Sequence, residues 1–166
     1  MGSGITGLTR SLCAPGLMAA IALLGATQAR AECRPDQIDL RWSGGQARFG
    51  VEVADDAAER AQGLMFRENM AKSTGMFFVY ERPQRAMFWM KNTLISLDMV
   101  FADATGRVTR VHSNAVPQDT TTIDGGPGVQ FVLEINGGLA KRLGIVEGAE
   151  IRHPAIEDAI WPCDAQ

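Results

Sequence analysis

Residues 87–101 read MFWMKNTLISLDMVF, and this stretch decides how the chain folds. It is strongly apolar, yet it encloses Lys91, Asn92 and Asp98. Burying such groups without partners is costly, so they must pair with one another, face water or contact a ligand. We interpret the stretch as two strands of a hairpin, with Lys91-Asn92-Thr93 at the bend.

The segment before this stretch predicts a β-hairpin and a short helix. Residues 38–42 and 49–53 alternate apolar and polar side chains on either side of a glycine-containing turn, which is the pattern of paired strands. Asp56, with a glutamate three residues later, forms a capping box, and Gly63 is a stop signal. We therefore expect a helix of about two turns at residues 57–62.

Three further strands and a long loop are predicted around the central stretch. Residues 76–80 form a buried apolar run, which we expect Pro83 to interrupt. Residues 107–112 alternate as a half-exposed strand does, and residues 129–136 alternate with one apolar and one largely polar face. Between them, residues 114–128 carry prolines, glycines and three threonines, which makes this loop a candidate lid.

The fold class follows from these elements. Residues 139–143 can form a second short helix that Gly144 ends, before a last strand at residues 145–151. Many short strands with only two short helices predict a β-rich α+β domain. We expect a small antiparallel barrel or a curled sheet.

The first 31 residues have the order of a cleavable export signal. Arg10 precedes an apolar run at residues 17–24, and Ala29-Arg30-Ala31 provides a small-residue cleavage site. The alternative, an uncleaved membrane anchor, has an apolar core only about half as long as the roughly 20 residues that span a bilayer. We predict cleavage between Ala31 and Glu32 and a location in the periplasm or outside the cell.

Removal of residues 1–31 leaves 32–166 as a single domain with a core at about residues 38–153. The formal net charge falls from -3 to -5, because two arginines and no acids are lost. An acidic chain of this kind argues against a nucleic-acid partner. We expect a monomer without a stable membrane anchor, which binds an unknown small ligand or protein partner.

Two cysteines remain in the mature chain, Cys33 near its start and Cys163 near its end. In an oxidising compartment they are an obvious disulfide pair. A bridge across so long a loop would stabilise the fold by about 4 to 5 kcal/mol in the chain-entropy model. Neither has a second cysteine nearby or an adjacent histidine that would favour a reactive thiol.

Two interpretations of the polar residues stay open. In the first, Lys91 pairs with Asp98 across the hairpin, and Asn92 bonds to the turn backbone, so that all three have a structural role. In the second, polar groups converge at one end of the barrel and orient a small ligand. The candidate ligand-binding residues are Lys91, Asn92, Asp98, Glu134, Asn136 and Arg67.

Two less favoured alternatives concern metal binding and catalysis. Met87, Met90 and Trp89 could bind Cu(I), because thioethers select this ion, although strand alternation sends the two methionines to opposite faces. Asp98 and Glu134 could divide acid and base roles if they lay side by side. Hydrolase, zinc and phosphate-loop signatures are absent from the sequence, and we expect no cofactor.

Three separated motifs carry a resemblance to a known family. They are RAQGLMFR at residues 60–67, the stretch at 87–101, and FVLEINGG at 131–138. Together they resemble the domain of unknown function 192 (DUF192) family over about residues 38–153, and the export signal is similar to that of its secreted bacterial members. The resemblance implies a compact β-rich fold and no established activity. We therefore expect an exported ligand-binding or accessory protein that is not a catalyst.

Overall fold

Seven strands and two short helices make up the part of the chain that the computed structural model describes, which is residues 1, 2, 4 and 33–163. In chain order they are β1 (Gln37–Trp42), β2 (Gly45–Ala54), α1 (Ala57–Gln62), β3 (Thr74–Phe88), β4 (Leu97–Ala102), β5 (Val108–Ala115), β6 (Ile123–Asn136), α2 (Leu139–Leu143) and β7 (Glu150–Arg152). All nine lie in the second of two compact units, Ala31–Gln166. The predicted export signal and its cleavage site fall outside the described residues.

The strands form one curled, half-barrel sheet in the order β5-β4-β6-β3-β2-β1-β7. This confirms the predicted β-rich α+β class. Helix α1 has the predicted bounds, because the Asp56 side chain accepts the Glu59 N–H and Gly63 closes the last turn. Helix α2 ends as predicted at Gly144, which has a φ of 85°.

One strand pair departs from the expected antiparallel sheet. Strands β2 and β3 run parallel, with Gly50 opposite Thr74 and Ala54 opposite Phe78. A parallel pair needs a crossover that returns the chain to its starting end. The segment with α1 supplies it, and Arg60 of α1 donates a hydrogen bond to the Val79 carbonyl of β3.

The predicted hairpin between residues 87 and 101 is wrong. Its bend is a turn as expected, and Asn92 has a φ of 57°, but the strands before and after it are not neighbours. Strand β6 lies between them, paired with β3 on one edge and with β4 on the other. Because β6 is apolar on both faces, its most stable position is the middle of the sheet.

Two predicted interruptions lie inside strands. Strand β3 continues through Pro83, which is tolerated because residues 81–85 are exposed and the β3–β6 register shifts there. The candidate lid shrinks to residues 116–122, since β5 reaches Ala115 and β6 begins at Ile123. The glycines that predicted a loop belong to β6, where Gly125 packs against the Phe101 ring.

Both faces of the sheet are buried. One face carries a cluster around Phe77, Leu133 and Ile135, and the other a cluster around Phe78 and Val132. The largely polar face predicted for residues 129–136 is less exposed than expected, because Val132 and Glu134 on it are buried and Gln130 and Asn136 are half-buried. The last strand is also shorter than predicted and covers only Glu150–Arg152.

The predicted disulfide joins Cys33 to Cys163, with Cα atoms 5.5 Å apart. The buried His153 ring packs against Phe77 at an interplanar angle of 56°, with centroids 4.8 Å apart, and its Nε2 lies 3.0 Å from the carbonyl oxygen of Pro35. The segments before β1 and after β7 are thus held to the same core. Among the described residues, no helix combines the length and the apolar character that a bilayer crossing needs.

Candidate functional site

Asp98 has a structural role. Its side chain is fully buried on β4 and accepts three backbone N–H groups, from Asn114 at 2.7 Å, Gly138 at 2.8 Å and Ala140 at 2.7 Å. Charge-assisted bonds of this kind satisfy a buried carboxylate. Asp98 therefore joins the end of β5 and the start of α2 to the sheet, and Lys91 is not its partner.

Asn136 and Arg67 also contact local partners. The Asn136 side-chain amide donates to the carbonyl oxygens of Met70 at 3.2 Å and Ala71 at 3.0 Å. Arg67 forms a two-pronged ion pair with Glu52, and this hydrogen bonding raises the pKa of the guanidinium. Both side chains hold the segment between α1 and β3 against the sheet.

Lys91 and Asn92 lie in the turn that follows β3. Lys91 is exposed, and its Nζ is 5.2 Å from the centroid of the Trp89 ring. The Asn92 carbonyl accepts the N–H of Phe66 at 2.8 Å, while its side-chain nitrogen lies 3.8 Å from the Met65 sulfur. This turn is consequently bound to the loop that follows α1.

The two carboxylates considered as an acid–base pair point to opposite faces of the sheet. Asp98 is opposite Ile135, whereas Glu134 is opposite Met99. Directly paired residues share a face, and the next residues along the strand use the other one. The paired-carboxylate interpretation is therefore wrong.

Among the six candidate residues, Glu134 is the one that is buried and whose side chain has no hydrogen-bond partner in the described part of the chain. It lies on β6 between Met76 and Met99, and the residue is 4% exposed. Among the described residues, no donor is hydrogen-bonded to its carboxyl group, and burial alone raises its pKa to about 8. Most Glu134 carboxyl groups are therefore protonated at neutral pH.

A cleft of about 310 Å³ opens above Glu134. Its walls come from the end of α1 and the following turn, from β3, from the segment after β3, and from β6. The lining residues are Arg60, Ala61, Gln62, Gly63, Leu64, Met65, Phe78, Tyr80, Met87, Phe88, Trp89, Thr93 and Glu134. All three sequence motifs that carry the family resemblance thus contribute side chains to one cleft.

Arg60 supplies a permanent positive charge at the cleft wall. Its guanidinium donates to the Val79 carbonyl and to the Glu81 carboxylate, both at 2.8 Å, and lies 5.1 Å from the centroid of the Tyr80 ring. Burial raises the pKa of the Tyr80 hydroxyl, Arg60 lowers it, and Glu134 raises it. Arg60 and, once it is ionised, Glu134 thus have opposite effects on the same hydroxyl.

Several cleft residues are absent from the predicted site. Arg60, Gln62 and Tyr80 line the cleft, although the sequence indicated only a helix end and a strand at these positions. Arg60 opens the first family motif, and this was the available signal. The convergence itself depends on the pairing of β3 with β6, which no local pattern specifies.

The methionines proposed for copper are divided between the cleft and the core. Met87 is 62% exposed and lines the cleft with Met65, whereas Met90 is 1% exposed and belongs to the core cluster around Phe78. The Met87–Met90 pair therefore does not converge on one ion. Within the described part of the chain, no group of three or more His, Cys, Asp or Glu residues is placed to hold a metal.

Comparison with known proteins gives one family and two similar structures. The model of the DUF192 family, described as "Uncharacterized ACR", matches residues 40–153. A protein of unknown function from Novosphingobium aromaticivorans DSM 12444 is 42% identical, with a TM-score of 0.68, covering 69% of this chain and 82% of its own. A protein from Sinorhizobium meliloti 1021, which carries the name of a candidate transcription regulator, is 38% identical with a TM-score of 0.68, covering 73% and 95%. No curated protein matches the chain.

Proposed function

The chain belongs to the DUF192 family, whose members are described as uncharacterized, and we propose that it binds a small, partly apolar molecule in the cleft above Glu134. The carboxyl group of Glu134 would be the polar anchor at the floor of this site. The side chains of Phe78, Phe88 and Trp89 would contact the apolar part of the ligand.

One observation carries this proposal: three segments far apart in the sequence converge on a cleft whose floor is a buried carboxyl group without a hydrogen-bond donor among the described residues. Among the described residues, no buried side-chain oxygen lacks a hydrogen-bond partner, so the Glu134 carboxyl oxygens are open to the cleft and can contact a bound molecule. Asp98, in the same sheet, has three partners. A ligand group would supply at Glu134 the partner that the fold supplies at Asp98.

The cleft favours binding over catalysis. Glu134, Arg60 and Tyr80 are the ionisable side chains among the lining residues of this cleft. Asp98 is on the other face of the sheet, so no second carboxylate works with Glu134. General acid–base chemistry on a ligand would need a further group within reach of its reacting atom.

We also propose that the protein acts in the periplasm or outside the cell after removal of residues 1–31. The Cys33–Cys163 bridge supports this location, because structural disulfides persist in oxidising compartments. Mass spectrometry of the protein from a periplasmic fraction should give a mature chain that begins at Glu32. A full-length chain in the cytoplasm would contradict this part of the proposal.

Nucleic acid is not the proposed partner. The chain has a formal net charge of -3, and proteins that bind phosphate backbones usually carry a basic surface. We propose that the protein is a monomer and that each monomer binds one ligand molecule in its cleft. Gel filtration at several protein concentrations, and a binding assay with duplex DNA at low salt, test these two points.

Copper binding is the second candidate, because Met65, Met87 and Trp89 line the same cleft. Titration of the protein with Cu(I) would raise its melting temperature and quench Trp89 fluorescence if the ion bound there. A Met65→Leu, Met87→Leu double variant is the control. Unchanged melting and fluorescence would exclude this candidate.

The proposed function can be tested with a fragment screen. We expect small aromatic fragments to shift the NMR signals of cleft residues and to bind less tightly to Trp89→Ala. Trp89 is 51% exposed, so this variant should fold normally. Trp161→Ala, outside the cleft, is the matched control and should bind as the wild type does. The proposal fails if no fragment of any charge binds in the cleft.

A further inference from the structure

We propose that the natural ligand is a small organic carboxylate with an apolar body, held by a hydrogen bond from the Glu134 carboxyl group at the floor of the cleft and by the charge of Arg60 at its wall. This inference rests on the proposed function and names the chemical class of its ligand. Three features support it. Glu134 can donate a hydrogen bond, positive charges lie around the cleft, and the Tyr80 and Trp89 rings already have protein cations over them.

Glu134 offers the ligand a hydrogen-bond donor. A protonated carboxyl has one O–H group to donate, and the desolvation of this 4% exposed residue at the floor of the cleft favours the protonated form. The strongest acceptor for such a group is an anionic oxygen, because O–H···O⁻ bonds are short and charge-assisted. A ligand carboxylate provides that oxygen.

Positive charges lie at the cleft wall and at its rim. Arg60 carries a guanidinium group, and its ion-pair partner Glu81 is exposed to solvent, which weakens that pair. Lys91 lies over Trp89 at the rim. With Glu134 neutral, the lining carries one positive charge and no negative one, which favours an anion.

The aromatic faces argue against a cationic ligand. An ammonium group would gain from an aromatic ring that faces the cleft. However, the Tyr80 ring already has Arg60 over it at 5.1 Å, and the Trp89 ring has Lys91 over it at 5.2 Å. A ligand cation would also be repelled by these two groups.

The proton on Glu134 couples binding to pH. The charged or titratable groups around it are Arg60 at the end of α1, Tyr80 on β3 and Lys91 in the turn after β3; the residues opposite it on β3 and β4 are methionines. His112 on β5 is opposite Met99, two strands from Glu134. A Glu134 variant therefore separates the contribution of the Glu134 carboxyl group from that of the other groups.

Three probes with the same hydrocarbon skeleton test the inference. They are 3-phenylpropionate, 3-phenylpropylamine and 3-phenylpropan-1-ol, titrated into the full disulfide-bonded protein by NMR. At about pH 6 we expect the carboxylate to bind most tightly. Its apparent affinity should fall about tenfold by pH 9, because only the protonated fraction of Glu134 is competent to bind it.

Two variants separate the role of Glu134 from a general effect of pH. Glu134→Gln keeps a donor that does not titrate, so it should bind 3-phenylpropionate without this loss between about pH 6 and pH 9. Glu134→Leu should bind it weakly at both values. Normal folding of both variants is checked by their NMR spectra.

The outcomes distinguish this inference from the proposed function. If the amine or the alcohol binds in the cleft as tightly as the carboxylate, the ligand class is overturned while the proposed function stands. An affinity for the carboxylate that rises with pH, or that changes equally in wild type and Glu134→Gln, overturns it as well. Failure of 3-phenylpropionate to bind also overturns the ligand class, and the fragment screen then decides the proposed function separately.

Discussion

The position of Glu134 suits the proposed binding, but its burial makes the stability of the fold sensitive to pH. Its carboxyl group lies in an apolar cleft wall with no donor among the described residues, and its pKa is raised from 4.5 to about 8. The folded chain therefore holds this proton more tightly than the unfolded chain does. Ionisation of the group destabilises the native state, and a bound ligand that keeps it neutral would restore the stability.

This effect predicts a pH dependence of stability. The contribution of Glu134 is fully present below about pH 4.5 and is lost as the pH rises through about 8. Glu134→Gln should remove this loss and exceed the wild type by up to about 5 kcal/mol at pH 9, since the pKa rises from 4.5 to about 8 and each pKa unit corresponds to about 1.4 kcal/mol. Urea unfolding of both proteins between pH 5 and 9 measures the difference.

The exposed Glu147 provides the control for this measurement. Glu147→Gln should follow the wild-type curve over the whole range. If Glu134→Gln also follows it, the carboxyl group of Glu134 is not protonated in the native state, and its role as a donor must be abandoned.

Asp98 should be among the most sensitive positions of the chain. Asp98→Asn replaces one of two acceptor oxygens by a donor, which leaves at least one of three buried N–H groups without a partner. We expect a loss of about 3 kcal/mol or more in the free energy of unfolding. Asp158→Asn, at an exposed position, should change it by less than about 0.5 kcal/mol. Equal effects of the two variants in chemical denaturation would contradict the structural role.

At the scale of the elements, Gly125 determines how closely β6 approaches the Phe101 ring of β4. A Cβ at this position would overlap the carbon atoms of that ring. Gly125→Ala should therefore destabilise the fold by about 2 to 3 kcal/mol through overpacking. At Gly50 the nearest atom to an added Cβ is 3.7 Å away, so Gly50→Ala is the matched control and should be nearly neutral. A smaller loss for Gly125→Ala than for Gly50→Ala in thermal unfolding would show that β6 can shift.

Local sequence patterns were sufficient to predict those helices and strands whose start and stop signals lie close together in the sequence. The capping residues of α1, the glycine that ends α2, and the alternation in β1 and β2 each predicted the element that forms. They failed where a residue had a tertiary role. Gly125 is small because it faces Phe101, and Pro83 lies in a strand because its neighbours are exposed.

The candidate site was only partly predictable for the same reason. The sequence identified Glu134 as a candidate ligand-binding residue on the largely polar face of its strand. It could not separate Glu134 from Asp98, because their different surroundings depend on the β4–β6 register. Arg60 and Tyr80 line the cleft only because β3 pairs with β6 and α1 packs close to β3.

For the whole molecule, the sheet separates two roles by its two faces. Asp98 lies on the face with Ile135 and holds α2 and β5 in place, while Glu134 lies on the face that opens into the cleft. Changes at the cleft should therefore affect binding with little effect on the packing behind the sheet. Changes at Asp98 should affect the stability of the fold as a whole.

The disulfide should contribute to the stability of the whole domain. Cys33→Ser, Cys163→Ser and the double variant should each lose up to about 4 to 5 kcal/mol, because each removes the same cross-link between distant parts of the chain. Wild-type protein under reducing conditions should lose the same amount. Losses that add up in the double variant would show that the two cysteines do not act as one bridge.

The position of β6 between β3 and β4 also bears on how the chain reaches its native state. Neighbouring strands β4 and β5 can pair at once, whereas Gly75 of β3 must find Ile135 of β6 across all of the intervening chain. Contacts so distant in sequence slow folding, because the entropy of closing the loop is lost before any contact is gained. The β4–β5 hairpin should therefore form early and the β3–β6 pair late. The cleft, which needs that pair, is among the last features of the molecule to appear.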